Sequence, residues 1–481
     1  MKIFPLTGAV LALILAGCAG LPPQSQQPRL YKVAPLAGIP ATSNGTWPAA
    51  GWWQQFNDPQ LDHLVTRTLA TAPTLMAAAA RIRAALAAAQ ATGAAFGPQI
   101  VASLQASRQR ISNNGLISPQ FLGFNWYSQT DIGAQLRYDL DFWGKHRAQI
   151  TAAVDQAKAL AAEHAAASML LSIRVTETYF GWQADQARLR DLGRVVKAQQ
   201  AAVAIAKARV HQGLDPDDQW YLARRQLASL RVQLAGLRGA AAIQKAALAG
   251  LVGIAPAALA KLKAKPLPQA RSSLPANARL DLIARRADIT ALRWQVQAAS
   301  ENLQVARADF YPNFSLNVLA GFSSVESSKV LALGSRVFNI APAMQLPIFN
   351  SGLLKARFGV SQAQLDAAAA AYNQAVLDAA RQVAVAALDL ERLRSQRLAQ
   401  QQALQASKAL LRNARFRLRQ GLTDRRPVLQ AKIGWLQQRD ADTVLQSQVL
   451  TANITLIEAL GGGFTAHRPS QASMHAKDSK L

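Results

Sequence analysis

Few residues of this 481-residue chain are spaced for covalent or metal chemistry. There are six histidines, and none falls at the His-x-x-x-His or His-x-x-Glu spacing that sets two ligands on one helix face. His63, His146, His164 and His211 are scattered, and His467 and His475 lie near the C-terminus. No metal is therefore expected. No glycine-rich phosphate loop is present, so any energy must come from a partner. No serine or cysteine has an evident base partner. The expectation is a protein with no catalytic residue and no cofactor. Cys18 is the single cysteine, so no disulfide can form within a chain.

What precedes Cys18 suggests its chemistry. Lys2 gives a charged start, Leu11 to Leu15 an apolar run too short to span a bilayer, and Ala16-Gly17 small residues before the cysteine. Residues 1–17 read as a secretory signal. Ending on the only cysteine, the segment resembles a bacterial lipoprotein box, which implies cleavage before Cys18 and lipid on it. Ala19 follows rather than aspartate, and in that class this implies sorting to the outer membrane. No long apolar run occurs elsewhere, so no transmembrane helix is expected. Residues 18–46, rich in Pro, Gln and Ser, read as an extended tether. The net charge of +26 would suit nucleic acid. An exported chain rarely meets nucleic acid, and the Arg and Lys are spread along helices without interleaved aromatics. Solvated helix faces are the plainer reading, and no nucleic-acid partner is expected.

The body of the chain is a repeat. A shift of 208 carries Gly144 onto Gly352, Gly213 onto Gly421 and Gly253 onto Gly461. Within it, Val175, Trp182, Leu189, Val196, Val203 and Val210 step by seven. The shifted set is Val383, Leu390, Arg397, Leu404, Leu411 and Leu418. Such a step predicts a left-handed coiled coil. Each copy turns at Gln212-Gly213-Leu214 or Gln420-Gly421-Leu422 and returns, so 144–253 and 352–461 read as antiparallel helical hairpins. In the first return, Leu227, Leu230, Leu234, Leu237, Ala241, Leu248 and Leu251 keep 3/4 spacing.

Each hairpin is preceded by a helix, a proline and a change of period. Ala77 to Phe96 ends at Gly97-Pro98, and Ile289 to Phe310 ends at Tyr311-Pro312. Strands are expected at about 99–110, 130–142, 313–324 and 337–349. The clearest alternates Ile132, Ala134, Leu136, Tyr138, Leu140 and Phe142 against Asp131, Gly133, Gln135, Arg137, Asp139 and Asp141. Apolar toward lipid and polar toward a lumen is the pattern of a membrane barrel strand, with Ile132, Leu136, Tyr138 and Leu140 facing lipid. A sheet packed on a soluble core is the alternative. Asp58 is placed to cap a helix starting at Pro59. Trp52, Trp53 and Phe56 read as packing. Pro256, Pro266, Pro268 and Pro275 mark 254–285 as a linker, and the tail 464–481 carries no pattern and reads as disordered.

A membrane sheet must close, because an open edge in lipid leaves backbone groups unpaired. Four strands are too few to close. Two copies would give eight strands around a filled interior. Three give twelve, the smallest set with room for water. The fold expected is mostly α with membrane β: a duplicated helix–strand–strand–helical hairpin forming, as a trimer, a 12-stranded barrel on a long coiled-coil tunnel.

This order, given twice behind a lipoprotein signal, resembles the outer membrane factor family, the TolC-like ducts, in its NodT-like lipoprotein branch. The match covers roughly 47–463. It is carried by Trp52-Trp53-Gln54-Gln55-Phe56-Asn57-Asp58-Pro59-Gln60-Leu61, by Tyr138-Asp139-Leu140-Asp141-Phe142-Trp143-Gly144-Lys145, by Arg286-Ala287-Asp288-Ile289, by Ala308-Asp309-Phe310-Tyr311-Pro312, and by Leu346-Pro347-Ile348-Phe349-Asn350-Ser351-Gly352. The resemblance implies a passive homotrimeric exit duct in the outer membrane. It also implies a periplasmic adaptor and an inner-membrane pump of RND type as partners. In the family, acids near the hairpin tips help to constrict the aperture, one of them within a Leu-Asp-Ala triplet. Here that triplet reads Leu429-Gln430-Ala431, without the carboxylate. Asp424 with Arg425 and Arg426, and Asp215, Asp217 and Asp218 at the other tip, stand in its place. Rings of such carboxylates would attract cations and gate with nearby arginine. Helix-start capping is the plain alternative for Asp217 or Asp218. A protein-secretion duct and a poreless coiled-coil scaffold remain open as other functions.

Overall fold

The computed structural model describes residues 28–34, 45–116, 118–270, 274–275 and 278–465, with nothing said of the side chains at 279 and 280. Cys18, the signal 1–17 and residues 466–481 lie outside the described residues. The chain divides into two compact units, one of 1–30, 81–160 and 292–372, the other of 31–80, 161–291 and 373–481. Its principal elements are α1 (Pro59–Thr71), α2 (Pro73–Ala95), β1 (Gln99–Arg110), β2 (Trp126–Leu140), α3 (Lys145–His211) and α4 (Asp217–Val252), then α5 (Ala278–Arg285), α6 (Ala287–Ala308), β3 (Asn313–Ser324), β4 (Arg336–Gln345), α7 (Leu353–Arg419) and α8 (Arg425–Ala459).

The first unit holds one antiparallel sheet in the order β1-β2-β3-β4. Its middle pair joins the two repeats, since β2 belongs to the first and β3 to the second. Two strands have limits that differ from those read in the sequence. β2 starts at Trp126 and stops at Leu140, two residues before Phe142. Asp141 is used otherwise: its carboxylate accepts from the backbone N–H groups of His146 (3.1 Å) and Arg147 (3.0 Å) and so opens α3. β4 runs Arg336–Gln345, leaving Ile348 outside the ladder.

In the second unit the hairpins pack through their heptad positions. Val175, Val383, Leu390 and Leu411 are buried. The one charged member, Arg397, meets Asp442 of α8 at 3.3 Å. Each tip ends in the same Schellman turn: Leu214 N–H donates to Arg209 O (2.8 Å), and Leu422 N–H to Arg417 O (2.9 Å). Gly213 and Gly421 sit at φ 71° and 70°, a conformation any side chain would strain. At 67 residues each, α3 and α7 are about 100 Å long at ~1.5 Å per residue.

The core of this unit gathers Trp52, Leu61, Val65, Ile173, Tyr179, Leu248, Leu450 and Ile454. Trp52 is buried, with its indole N–H on Ser172 Oγ at 3.3 Å, and so belongs to this packing. Asp58 caps α1 by accepting from Gln60 N–H at 3.1 Å. The described residues of 254–285 include a 3-10 turn (Pro256–Lys261) and α5. In the stretch 28–34, Tyr31 N–H donates to Asn373 Oδ1 at 2.9 Å, and Ala34 is buried.

Candidate channel wall and helical tips

In an antiparallel sheet, residues directly opposite share a face. The register Ile100↔Leu136, Ala102↔Ala134 and Leu104↔Ile132 continues as Ile132↔Phe322, Leu136↔Val318, Tyr138↔Leu316 and Leu140↔Phe314. It ends with Phe314↔Met344, Val318↔Ile340 and Ala320↔Phe338. One face is therefore apolar across all four strands, and it contains Ile132, Leu136, Tyr138 and Leu140. The other carries Ser103, Gln105, Asp131, Gln135, Arg137, Asp139, Ser315, Asn317, Asn339 and Gln345. No alternation within one strand could give this; it needs four strands in matching phase. Among the described residues, nothing covers the apolar face at the edge strands, where Ile100 is 71% exposed and Phe338 69%.

On the polar face Gly133 lies opposite Gly321. A Cβ on Gly321 would fall 2.2 Å from the Ile132 carbonyl oxygen and 2.6 Å from Gly133 Cα. The two backbones approach there more closely than any side chain permits, and both neighbours are main chain. At the helix end of the sheet, Trp143 donates its indole N–H to Pro312 O at 2.7 Å and stacks on Tyr311 at 4.8 Å. Lys145 pairs with Asp309 at 2.6 Å beside them.

At the tips, the acids divide into two groups. Asp215 takes a two-pronged contact from Arg209, Nε to Oδ2 at 2.7 Å and Nη2 to Oδ1 at 2.9 Å. Arg426, from the other hairpin, stands 3.7 Å from the same carboxylate. Arg426 also donates through Nε to Asp424 Oδ2 at 2.8 Å, while its backbone N–H bonds Asp424 Oδ1 and caps α8. Arg209–Asp215–Arg426–Asp424 is thus one chain of alternating charge across both hairpins. The Arg209 bond holds Asp215 below the usual carboxylate range. Asp424 is likewise held down, first by the Arg426 backbone N–H and then by its guanidinium.

The remaining residues named from sequence are not brought into that cluster. Asp217 and Asp218 are exposed in the first turn of α4. The capping expected of them is not made: Pro216 holds the cap position, extended at φ −70° and ψ 156°, with no side-chain bond to the helix. Both acids still face the positive end of the helix. Arg425 and Gln430 are exposed on α8.

Two further arrangements had no signal in local spacing. Asp191 of α3, buried, accepts from Arg439 of α8, with Nε to Oδ2 at 2.8 Å, and Arg188 reaches Asp440 at 3.0 Å. These pairs tie hairpin to hairpin. Asp58, besides capping α1, accepts from Tyr179 Oη and Lys265 Nζ, both at 2.5 Å. Burial pushes its pKa up, but bonds from Lys265, Tyr179 and Gln60 N–H outweigh this and leave it below the usual range. Tyr179 is pushed up by burial and by Asp58. Among the described residues, no cluster of His, Cys, Asp or Glu is placed to hold a metal ion, and no helix is long and apolar enough to cross a membrane.

Residues 64–254 and 280–462 match the family described as "Outer membrane efflux protein". The multidrug resistance outer membrane protein MdtP of Escherichia coli O157:H7 is 33% identical over 465 residues, 94% of this chain and 95% of that one. MdtQ of the same organism is 31% identical over 94% of this chain and 97% of its own length. Among solved structures, the outer membrane protein VceC of Vibrio cholerae is 29% identical with a TM-score of 0.77, covering 87% of this chain and all (100%) of that one. The CmeC outer membrane channel of Campylobacter jejuni, 21% identical, shares the fold with a TM-score of 0.80 over 95% of this chain and 98% of its own.

Proposed function

This chain belongs to the outer membrane efflux protein family, a family of outer membrane channels, and from that premise we propose that three copies assemble into the passive exit duct of a tripartite efflux pump. The observation that carries the proposal is the sheet. It has four strands, a continuous apolar face and two unpaired edges. In lipid those edges must pair, and pairing β1 of one copy with β4 of the next gives twelve strands for three copies. The apolar face with Ile132, Leu136, Tyr138 and Leu140 then meets acyl chains. The face with Asp131, Arg137 and Asp139 lines a water-filled lumen.

The helices support the same assembly. Tyr221, Val232 and Ile243 recur every three turns of α4, and Leu377, Leu388 and Leu398 nearly so along α7. All six are exposed, between 39% and 73%. Such exposed apolar stripes fit helix-to-helix contacts with neighbouring copies. The tips then form the periplasmic aperture. Asp215, Arg426 and Asp424 hold it shut by joining the two hairpins, and Asp217, Asp218, Arg425 and Gln430 line its mouth. A periplasmic adaptor and an RND-type inner-membrane pump supply the energy, and lipid on Cys18 anchors each copy. The cargo is drugs or other small toxic compounds, as the names of MdtP and MdtQ suggest.

The test is the detergent-extracted full chain. Three copies per particle and ohmic conductance in planar bilayers are expected, together with sensitisation to drugs on deletion. Label from radioactive palmitate should be lost in Cys18→Ser. A stable monomer that never conducts removes the proposal.

A further inference from the structure

We propose that Arg108, Arg110 and Arg336 form a binding site for the phosphorylated headgroup of a glycolipid in the outer leaflet of the outer membrane. This rests on the membrane placement of the sheet given above.

The three arginines lie on the apolar face. The register places Arg108 opposite Ser128 and Arg110 opposite Trp126, in phase with Leu104↔Ile132. It places Arg336 opposite Phe322. On that face, every strand residue nearer the helices is uncharged: Ile100 to Ala106 on β1, Thr130 to Leu140 on β2, Phe314 to Ser324 on β3 and Phe338 to Met344 on β4. The first charges met toward the loop end are these arginines, and the face carries no carboxylate among the described residues. The acids of the sheet, Asp131 and Asp139, are on the opposite face. Glu326, in the β3–β4 loop, is taken by Lys329 at 2.7 Å.

All three are exposed. Arg108 sits 5.7 Å from the ring centre of Trp126, and Arg336 Nε donates to Leu333 O at 3.0 Å. Neither contact neutralises charge. The opposite end of the same face differs. There the last residues of the face, Leu140, Phe314 and Met344, are uncharged. Among the strand residues of this face, charge is therefore confined to one rim, the one away from the helices. With the helices in the periplasm, that rim stands in the outer leaflet.

β1 and β4 are the two edges of the sheet. When copies close a wall, the Arg108/Arg110 pair of one copy comes beside the Arg336 of the next. Each seam then offers three guanidinium groups at the boundary between acyl chains and headgroups. Guanidinium binds phosphate through two parallel hydrogen bonds, and does so more strongly where water is scarce. Snorkelling alone would satisfy a lone arginine. Three on one rim, with no acid, fit a lipid bearing more than one phosphate.

The test uses the full chain purified from outer membranes in detergent, titrated with diphosphorylated lipid A. Wild type should bind it and should also retain it through purification, as read by native mass spectrometry. Arg108→Gln/Arg110→Gln/Arg336→Gln should weaken binding at least tenfold. Substituting lysine at all three positions should lose only part, since charge remains and the fork is gone. Arg137→Gln, on the opposite face, should bind as wild type. Equal binding by the glutamine triple variant, or by lipid A stripped of phosphate, overturns the proposal while leaving the channel intact. Failure of the wild-type chain to enter the outer membrane removes the channel reading, and this site with it.

Discussion

Replacing Asp191 with alanine should loosen the contact between the hairpins far more than replacing Arg188, although the two salt bridges look alike in sequence. Asp191 is 2% exposed and takes two donors from Arg439. Arg188 and Asp440 are each 33% exposed at the side chain. A charge-assisted bond to a buried carboxylate is worth about 1.5–3 kcal/mol, and water can reach the Arg439 left behind, so a net loss of about 2–3 kcal/mol per copy is expected. The exposed pair is worth about 0–1 kcal/mol. At about 1.4 kcal/mol per tenfold, amide exchange across 436–443 of α8 should speed up by about 30- to 140-fold in Asp191→Ala, and by less than about fivefold in Arg188→Ala. The assay is hydrogen–deuterium exchange on the detergent-purified protein. Equal effects, or a larger one from Arg188, would refute the argument that burial sets the strength of these ties.

The close approach at Gly321 makes a second expectation. Gly321→Val should block insertion of the sheet, since its Cβ meets main chain at 2.2 Å, whereas Gly133→Ala, whose Cβ meets Ala320 O at 3.3 Å, should be tolerated; the readout is the heat-modifiable band shift of outer membrane fractions. At the tips, Asp215 and Asp424 are both held below the ordinary carboxylate pKa. A depressed group contributes in full above its unfolded pKa and loses that contribution as pH falls through the folded value. Bilayer conductance should therefore stay flat from neutral pH down to the ordinary carboxylate pKa of about 4 and rise only below it. Arg426→Gln should raise conductance already at neutral pH. Finally, replacing Arg397 and Asp442 together by leucine should leave the melting temperature unchanged or raised, whereas Arg397→Leu alone should lower it, as it strands a half-buried carboxylate.

Much of this architecture could be read from the chain because it rests on periods. Heptads give the hairpins, and alternation gives the strands. Glycines repeated at one shift give the turns. What sequence missed rests on contacts between distant residues. Asp141 looks like the next polar residue of a strand, and only the turn at Gly144 reveals it as the cap of α3. Asp217 looks like a cap until Pro216 takes the position. Arg397 looks like a flaw in its heptad until Asp442 comes opposite. The bridge from Asp215 to Arg426 joins two tips more than two hundred residues apart, and no spacing rule finds such a pair. The four strands are legible one by one, but the common phase of their faces belongs to the ladder itself.

The pairing of β2 with β3 carries a consequence for biogenesis. Leu140 lies against Phe314, 174 residues further along the chain, with both arms of the first hairpin between them. The β1–β2 ribbon is complete early, yet it has no third strand until most of the polypeptide has crossed the inner membrane. Its greasy side must be shielded in transit. Contacts so remote in sequence form slowly. Delivery to the bilayer thus has to wait for the C-terminal half, and a truncated chain should arrive in the periplasm as cargo for chaperones and proteases instead of lodging half-built in lipid.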